Sequence, residues 1–438
     1  MHMTTIEQLY QTYCVSRKVT TDSRTITPGC LFFAFKGEHF DGNAFAPKAL
    51  EQGAALCVIS DEQYKLDDRC IVVDDVLATL QELAREHRRH LTIPVVGITG
   101  TNGKTTTKEL VHAVLAKRYK TSATKGNFNN HLGVPLTLLG IPADTEITIV
   151  EMGANHPGEI AFLCGIADPD CGLITNVGRA HLEGFGSFEG VINTKTELYR
   201  HLAVKEGTVF VNADNPILME QAASLATQPK AIVTYGNDAS AMTRGTLVTD
   251  TQSPYLHFYF EVGDNVYNVR THLLGAYNFD NCMAAVAVGL HFGVEPWDIK
   301  EAIEEYIPSN QRSEYKETSR DNRLYLDCYN ANPSSMAAAI ESFKTMGGTM
   351  AVIGGMHELG TAEREEHEKV VEQLATCGLE RVLLVGPEWE ALPHPDNMLL
   401  FNNTEEVHTW LQEHPVSGAT ILIKGSNTNR LWTLEELL

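Results

Sequence analysis

Short apolar runs alternate with stretches of helical periodicity along this chain, a pattern that predicts an α/β protein. In residues 1–91 the compact run "CLFFAFKG" (30–37) precedes a charged helix, "VLATLQELAREHRRH" (76–90). "TIPVVGI" then starts a new strand, with Pro94 near its beginning. Residues 92–310 hold the buried-type strands "ITIVE" (147–151), "GLITN" (172–176) and "TVFVN" (208–212). A patch of alternation follows at "PYLHFYFEVGDNVYNVRTHL" (254–273), and its Gly263-Asp264 turn signal predicts an inserted hairpin. The alternation restarts in residues 311–438. "RLYLDCY" reads as a strand and "SSMAAAIESFKTM" as a helix, with further strands at "TMAVIGG", "RVLLVG" and "ATILIKG". This predicts a small parallel-sheet, Rossmann-like domain. The expectation is three α/β domains at 1–91, 92–310 and 311–438, without internal repeats.

The length of 438 residues agrees with about three domains. Hydrophobic residues make up 43% and charged residues 21%, ordinary for a soluble globular protein. The formal charge of −22 argues against nucleic-acid or acidic-membrane partners, which need basic patches. It does not exclude a nucleotide, because one local loop can hold phosphate within an acidic protein. Nine cysteines lie scattered without CxxC pairs, which points to a reducing cytoplasm. The first 14 residues show no apolar signal core, and no run approaches the ~18 apolar residues of a membrane span.

"GITGTNGKTTTKEL" (97–110) carries the first chemistry. Val95, Val96 and Ile98 are strand-like, while Leu110, Val111, Val114 and Leu115 repeat at helical spacing. Between them, Gly100 and Gly103 let backbone N–H groups turn towards an anion. Lys104 adds a point charge for β/γ phosphates, and the Thr105 hydroxyl can reach Mg²⁺. The usual G-x-x-x-x-G-K-[ST] pattern would require glycine where Ile98 stands, so the matching loop is the shorter G-T-N-G-K-T. The bland alternative is a glycine turn opening a helix. No Asn-Lys-x-Asp motif is present, which separates the chain from regulatory GTPases.

Glu151 ends a buried-type strand, where ligands gather in parallel sheets and a carboxylate can hold Mg²⁺. A solvated strand-end glutamate is the competing reading. A second strand is expected to end at Asn176, followed by a glycine loop containing His181. Taken alone, His181 is a structural histidine and Lys195 a solvent-facing helix lysine.

In order along the chain, "GTNGKT", "EMGANHPGEI", "NVGRAHLEGFGS" and "TKTEL" resemble the Mur ligases, which build the cytoplasmic peptidoglycan precursor. "LDCYNANPSSM", "GGMHELG" and "ILIKGS" resemble the branch that adds D-alanyl-D-alanine. "DSR…GCLFFAFKGEHFDGNAF" and "KGNFNNHLGVP" point the same way. The resemblance covers nearly the whole chain. It implies ATP-dependent amide formation between UDP-N-acetylmuramoyl-tripeptide and D-alanyl-D-alanine, with two Mg²⁺ ions, by a cytoplasmic monomer.

The resemblance also implies roles for residues. Thr99, Gly100, Thr101, Asn102, Gly103, Lys104, Thr105 and Thr106 form the phosphate loop. Thr105 and Glu151 match ligands of the first Mg²⁺, and His181 a ligand of the second. Lys195 matches the lysine that the family carbamylates, turning an amine into an acid. This needs a neutral amine, which burial favours. Lys104, Glu151, His181 and Lys195 are thus the expected catalytic set. Asn278 and Asn281 match the adenine-reading Asn-x-x-Asn, although a helix cap is the simpler reading of Asn278. Arg312, Asp327 and Asn330 match further ATP contacts, and Lys424 a substrate loop. Ser23, Arg24 and the Lys36-Gly37 turn match uridine-diphosphate contacts, and Asn129 and Asn130 contacts to the muramoyl-peptide. The chain departs at Leu326-Asp327, where the family often has two acids. A folylpolyglutamate-synthase-like ligase and a non-catalytic nucleotide-binding protein are the alternatives.

Overall fold

The computed structural model describes residues 5–248, 253–309 and 312–438. The expected boundary at 310/311 and the first four residues lie outside them. The described strands fall into three sheets, and the chain is α/β as its periodicity predicts. Two compact units organise it. The first comprises Met1–Ile98, Tyr119–Ala154 and Gly158–Gly172; the second comprises Thr99–Arg118, Asn155–Pro157 and Leu173–Leu438.

In the first unit, strands Val19–Thr20, Leu31–Phe33, Leu56–Ile59 and Cys70–Val72 pair in that order, all parallel. Cys30, Phe32, Cys57 and Ile59 bury one face of this sheet against Ala46, Ala49 and Leu50. Helix Val76–His90 spans the segment its periodicity predicts. Asp75 caps it by accepting from the Ala78 N–H, and His87 through His90 fill its last turn, where cations suit the helix dipole. Its buried face packs Leu80, Leu83, Ala84 and His87 inward, and His87 meets the ring of Tyr13 edge-on at 4.9 Å. A second set of parallel strands runs Thr121–Ala123, Ile147–Glu151, Val95–Thr99. Ile147–Glu151 is buried throughout, Thr148 and Glu151 included, as a central parallel strand covered on both faces is.

In the second unit, Thr208–Asn212, Ala231–Gly236 and Thr243–Leu247 are parallel neighbours. The last pairs antiparallel with Tyr255–Val262, which forms a hairpin with Asn265–Leu274. Gly263 sits at φ +59° in the turn, so the Gly-Asp signal has the geometry it predicted. The C-terminal sheet has the order Glu314–Glu317, Arg323–Asp327, Thr420–Lys424, Met350–Gly354, Arg381–Val385, Met398–Phe401. Five of these strands are parallel and helices separate most of them, giving the Rossmann-like layer. Two of its strands have no counterpart among the sequence expectations. Glu314–Glu317 is polar, and Met398–Phe401 is a four-residue edge strand. Short edge strands carry little hydrophobic pattern. All nine cysteines are free thiols, seven of them buried. Among the described residues no helix is long and apolar enough to cross a membrane.

Candidate active site

Strand Val95–Thr99 leads through Gly100–Gly103 into helix Lys104–Ala116. Gly100 has φ +143° and Gly103 φ +77°, both in the region that glycine tolerates. A Cβ on Gly100 would lie 2.0 Å from Thr175 Oγ1, and one on Gly103 would lie 2.5 Å from Asn281 Oδ1. The loop is therefore packed from behind. Gly103 offers the helix no side-chain cap, as an anion-binding helix start requires. Asn176 clamps the loop from the next strand end. It accepts from the Asn102 N–H at 3.0 Å and donates through Nδ2 to the Asn102 carbonyl at 3.0 Å. Thr175 Oγ1 adds a 2.6 Å bond to the same carbonyl, and Thr101 Oγ1 accepts from the Gly178 N–H. Lys104 folds across the loop and donates to the carbonyls of Gly100 and Thr101 at 2.7 and 2.8 Å. Thr105 is buried on the first turn, and Thr99 and Thr106 flank the loop, the first buried and the second half-buried.

The second strand end differs from expectation. Its strand is Cys171–Ile174, so Thr175 and Asn176 belong to the loop. The Thr175 N–H still bonds the Thr99 carbonyl, while the two side chains serve the phosphate loop. His181 follows in left-handed conformation, φ +50°. Its Nδ1 is bonded to the Glu358 carboxylate. Burial holds the His181 imidazole below its usual range. Glu358 opposes this shift, and the positive charges of Lys104 and Lys195 add to it. These lysines thus lie within electrostatic reach of the ring.

Lys195 overturns the expectation of a solvent-facing lysine. It is 2% exposed, at the end of helix Phe188–Lys195. Its Nζ lies 5.2 Å from the centre of the Phe185 ring, which His181 also meets edge-on. Helical periodicity could not reveal this, because it reports the apolar face of a helix and not what packs against a polar side chain.

Asn278 and Asn281 share one helix face, joined by a 2.8 Å bond from Asn281 Nδ2 to Asn278 Oδ1. Thr107 Oγ1 donates to Asn281 Oδ1, which ties this pair to the helix of the phosphate loop. Asn278 does not cap its helix; its Nδ2 donates backwards to the Leu274 carbonyl at 2.7 Å. In the C-terminal sheet, Asp327 and Lys424 are register partners on adjacent parallel strands. Lys424 Nζ donates to Asp327 Oδ2 at 2.6 Å and to the Asn330 carbonyl at 3.3 Å. The Arg312 guanidinium stacks 3.7 Å over the Tyr329 ring, and its buried Nε has no hydrogen-bond partner among the described residues. Asn102 and Asn332 exchange side-chain bonds at 2.8 and 3.4 Å, which brings the phosphate loop to the C-terminal sheet domain.

The first unit holds the remaining candidates. Glu151 is buried, not solvated, at the end of its strand. Asn129 Nδ2 donates to its Oε1 at 2.8 Å, and the Gly153 N–H donates to the Asn129 carbonyl. Asn130 instead accepts from the N–H groups of Leu132 and Gly133, at the start of helix Gly133–Leu139. Ser23 is half-buried beside Arg24, whose exposed guanidinium forks onto Asp22 at 2.6 and 2.9 Å. That fork lowers the Asp22 carboxyl to about 2. Lys36 approaches Asp41 at 3.9 Å, and Gly37 lies under the Phe40 ring, where a Cβ would come within 2.5 Å.

Among the described residues, no group of three or more His, Cys, Asp or Glu is arranged to hold a metal.

Three family profiles cover these elements: "Mur ligase family, catalytic domain" at residues 17–94, "Mur ligase middle domain" at 98–289 and "Mur ligase, glutamate ligase domain" at 311–427. The chain is 35% identical over 430 residues to the UDP-N-acetylmuramoyl-tripeptide–D-alanyl-D-alanine ligase of Bacillus subtilis, covering 94% of this chain and 91% of that one. The chain belongs to the Mur ligase family. The structure of the Mur ligase MurF of Thermotoga maritima in complex with ADP superposes with a TM-score of 0.84 at 29% identity. It covers 99% of this Mur ligase and 98% of that chain. A folylpolyglutamate synthase of Mycobacterium tuberculosis shares the fold at 14% identity and a TM-score of 0.58, over 82% and 94% of the two chains. That likeness concerns the fold alone. Within the Mur ligase signatures, sequence reasoning missed Asn176 as a loop clamp and Glu358 as the partner of His181; the signal for each was membership of a matched motif.

Proposed function

We propose that this Mur ligase joins D-alanyl-D-alanine to UDP-N-acetylmuramoyl-tripeptide with consumption of ATP, giving the UDP-N-acetylmuramoyl-pentapeptide precursor of peptidoglycan. The observation that carries this reading is the similarity to a ligase of that name, 35% identity over 94% of this chain. Residues 1–91 would hold the UDP end, 92–310 the ATP, and 311–438 the incoming amine.

A carboxylate is a poor electrophile, so the tripeptide must first be activated. Its terminal carboxylate oxygen attacks the γ-phosphorus of ATP, and ADP leaves. The amine of D-alanyl-D-alanine attacks the resulting acyl phosphate, loses a proton, and the tetrahedral adduct expels phosphate. Catalysis is then positioning and charge neutralisation. The loop Thr99–Thr106 would cradle the phosphates, with Lys104 released from its carbonyls towards the transferring group. Asn278 and Asn281 would read adenine. Arg312, Asp327 and Asn330 would hold the rest of the nucleotide, and Lys424 would face the substrates.

Thr105 and Glu151 would hold one Mg²⁺ and His181 and Lys195 a second; when bound, these ions offset phosphate charge. The oxygen donors fit Mg²⁺, whereas an ammonium at Lys195 does not. Carbamylation resolves the mismatch: the neutral amine adds to CO₂ and loses a proton, leaving a carboxylate. Burial of Lys195 supports this, because desolvation disfavours the ammonium. Asn129 would fix the Glu151 carboxylate while meeting the muramoyl-peptide beside Asn130. Ser23, Arg24, Lys36 and Gly37 would receive the uridine diphosphate, with Arg24 exchanging Asp22 for phosphate.

The test is phosphate release with ATP, Mg²⁺ and UDP-N-acetylmuramoyl-tripeptide, with and without D-alanyl-D-alanine, alongside product mass. Release that requires both substrates, with a mass gain of one dipeptide less water, is expected. Turnover with folate and glutamate instead would overturn the assignment.

A further inference from the structure

His181 and Glu358 are 177 residues apart in sequence and bonded side chain to side chain. Both have left-handed backbones, φ +50° and +61°. A non-glycine residue in that region is uncommon and persists only where its surroundings hold it. Two such residues facing each other mark a contact for which the fold accepts strain on both sides.

The surroundings of Glu358 explain how it is held. It lies in the loop after strand Met350–Gly354. On one side the Met356 N–H donates to His367 Nε2 at 3.0 Å, and His367 Nδ1 donates to the Glu363 carbonyl at 2.7 Å. On the other side Leu359 is buried in the same core as Met356. The Glu358 carbonyl accepts from the Glu183 N–H at 3.4 Å, and Gly360 packs on Glu183. The loop is thus anchored before and after Glu358 and laid against the turn that carries His181.

An ionised carboxylate only accepts hydrogen bonds. Nδ1 of His181 must therefore carry the ring proton, which leaves the Nε2 lone pair available. This is the arrangement in which a carboxylate fixes a ligating histidine's tautomer and ring angle. We propose that Glu358 is a positioning residue for the ligase reaction: from the C-terminal sheet domain, it fixes the tautomer and ring angle of His181 and leaves Nε2 available. The inference rests on the ligase reading above.

Two variants separate positioning from structure. Glu358→Gly removes the carboxylate and relieves the left-handed strain, so its thermal midpoint should not fall below that of the wild type. Its kcat should nevertheless drop roughly 10- to 100-fold, the usual effect of removing such a partner, with little change in KM for D-alanyl-D-alanine. Glu358→Gln keeps an acceptor oxygen and should recover most of the rate. A second readout needs no turnover. In the ligand-free full chain, ¹⁵N imidazole resonances of His181, assigned with His181→Asn, should report Nδ1–H in the wild type and in Glu358→Gln, and a shift to Nε2–H in Glu358→Gly. Wild-type kcat in Glu358→Gly, or an Nε2–H tautomer in the wild-type chain, would overturn the proposal. If the wild type makes no amide at all, the ligase reading falls, while the imidazole resonances still decide whether Glu358 holds the ring.

Discussion

Lys424 and Asp327 face one another across adjacent parallel strands, with ammonium and carboxylate 2.6 Å apart and the lysine fully buried. A charge so placed depends on its partner. Removing Asp327 strands the ammonium, and breaking a buried pair in this way costs about 3–5 kcal/mol. Asp327→Ala should therefore lose that much in urea unfolding, whereas Lys424→Met, which leaves a partly exposed carboxylate, should lose clearly less. Equal losses would mean the pair is not the source of the stability.

Gly100 is closed to any side chain by Thr175 Oγ1 and by its φ of +143°. Forcing an L-residue there costs about 1–3 kcal/mol of backbone strain before the clash is counted. Gly100→Ala should weaken ADP binding in calorimetry and lower the thermal midpoint. Gly165, inside helix Glu159–Ala167 with open space around its Cβ position, is the contrast. Gly165→Ala should stabilise by about 0.5–1 kcal/mol.

Lys195 is expected to act, once carbamylated, as a carboxylate. Lys195→Ala should lose at least about 100-fold in kcat, the scale of removing one charge-stabilising group. Added short carboxylates should restore part of the rate. Full unaided activity of Lys195→Ala would remove the residue from the mechanism.

Asp280, one residue before Asn281, has its carboxyl raised to about 6 by burial, with the Asp214 charge adding to it. The folded value lies above the unfolded one near 3.8. Its contribution to stability is therefore complete below about pH 4 and is lost as pH rises through 6, roughly 3 kcal/mol in all. Asp280→Asn should match the wild type in urea unfolding at pH 4 and exceed it above pH 7. A constant difference across that range would assign the effect to packing.

The readable parts of this protein are those whose signal is contiguous. Helix Val76–His90 and strands Ile147–Glu151 and Thr208–Asn212 have the bounds their periodicity predicts. The hairpin turns at Gly263-Asp264 because glycine alone takes that φ without strain. The strand expected to reach Asn176 stops at Ile174, since Thr175 and Asn176 turn their side chains to the Asn102 carbonyl. Asn278 looks like a cap, but the carbonyl of Leu274 claims its amide.

The sequence by itself determined the α/β class, the phosphate loop and the family, because each is written in neighbouring residues whose spacing is the signal. Tertiary structure alone decided that Lys195 is buried, that Asn176 holds the phosphate loop, and that Glu358 meets His181. The reason is physical. Periodicity reports which face of an element is apolar, but a polar side chain takes its environment from whatever packs against it, as His181 does from Glu358 far along the chain, and only packing chooses the partner.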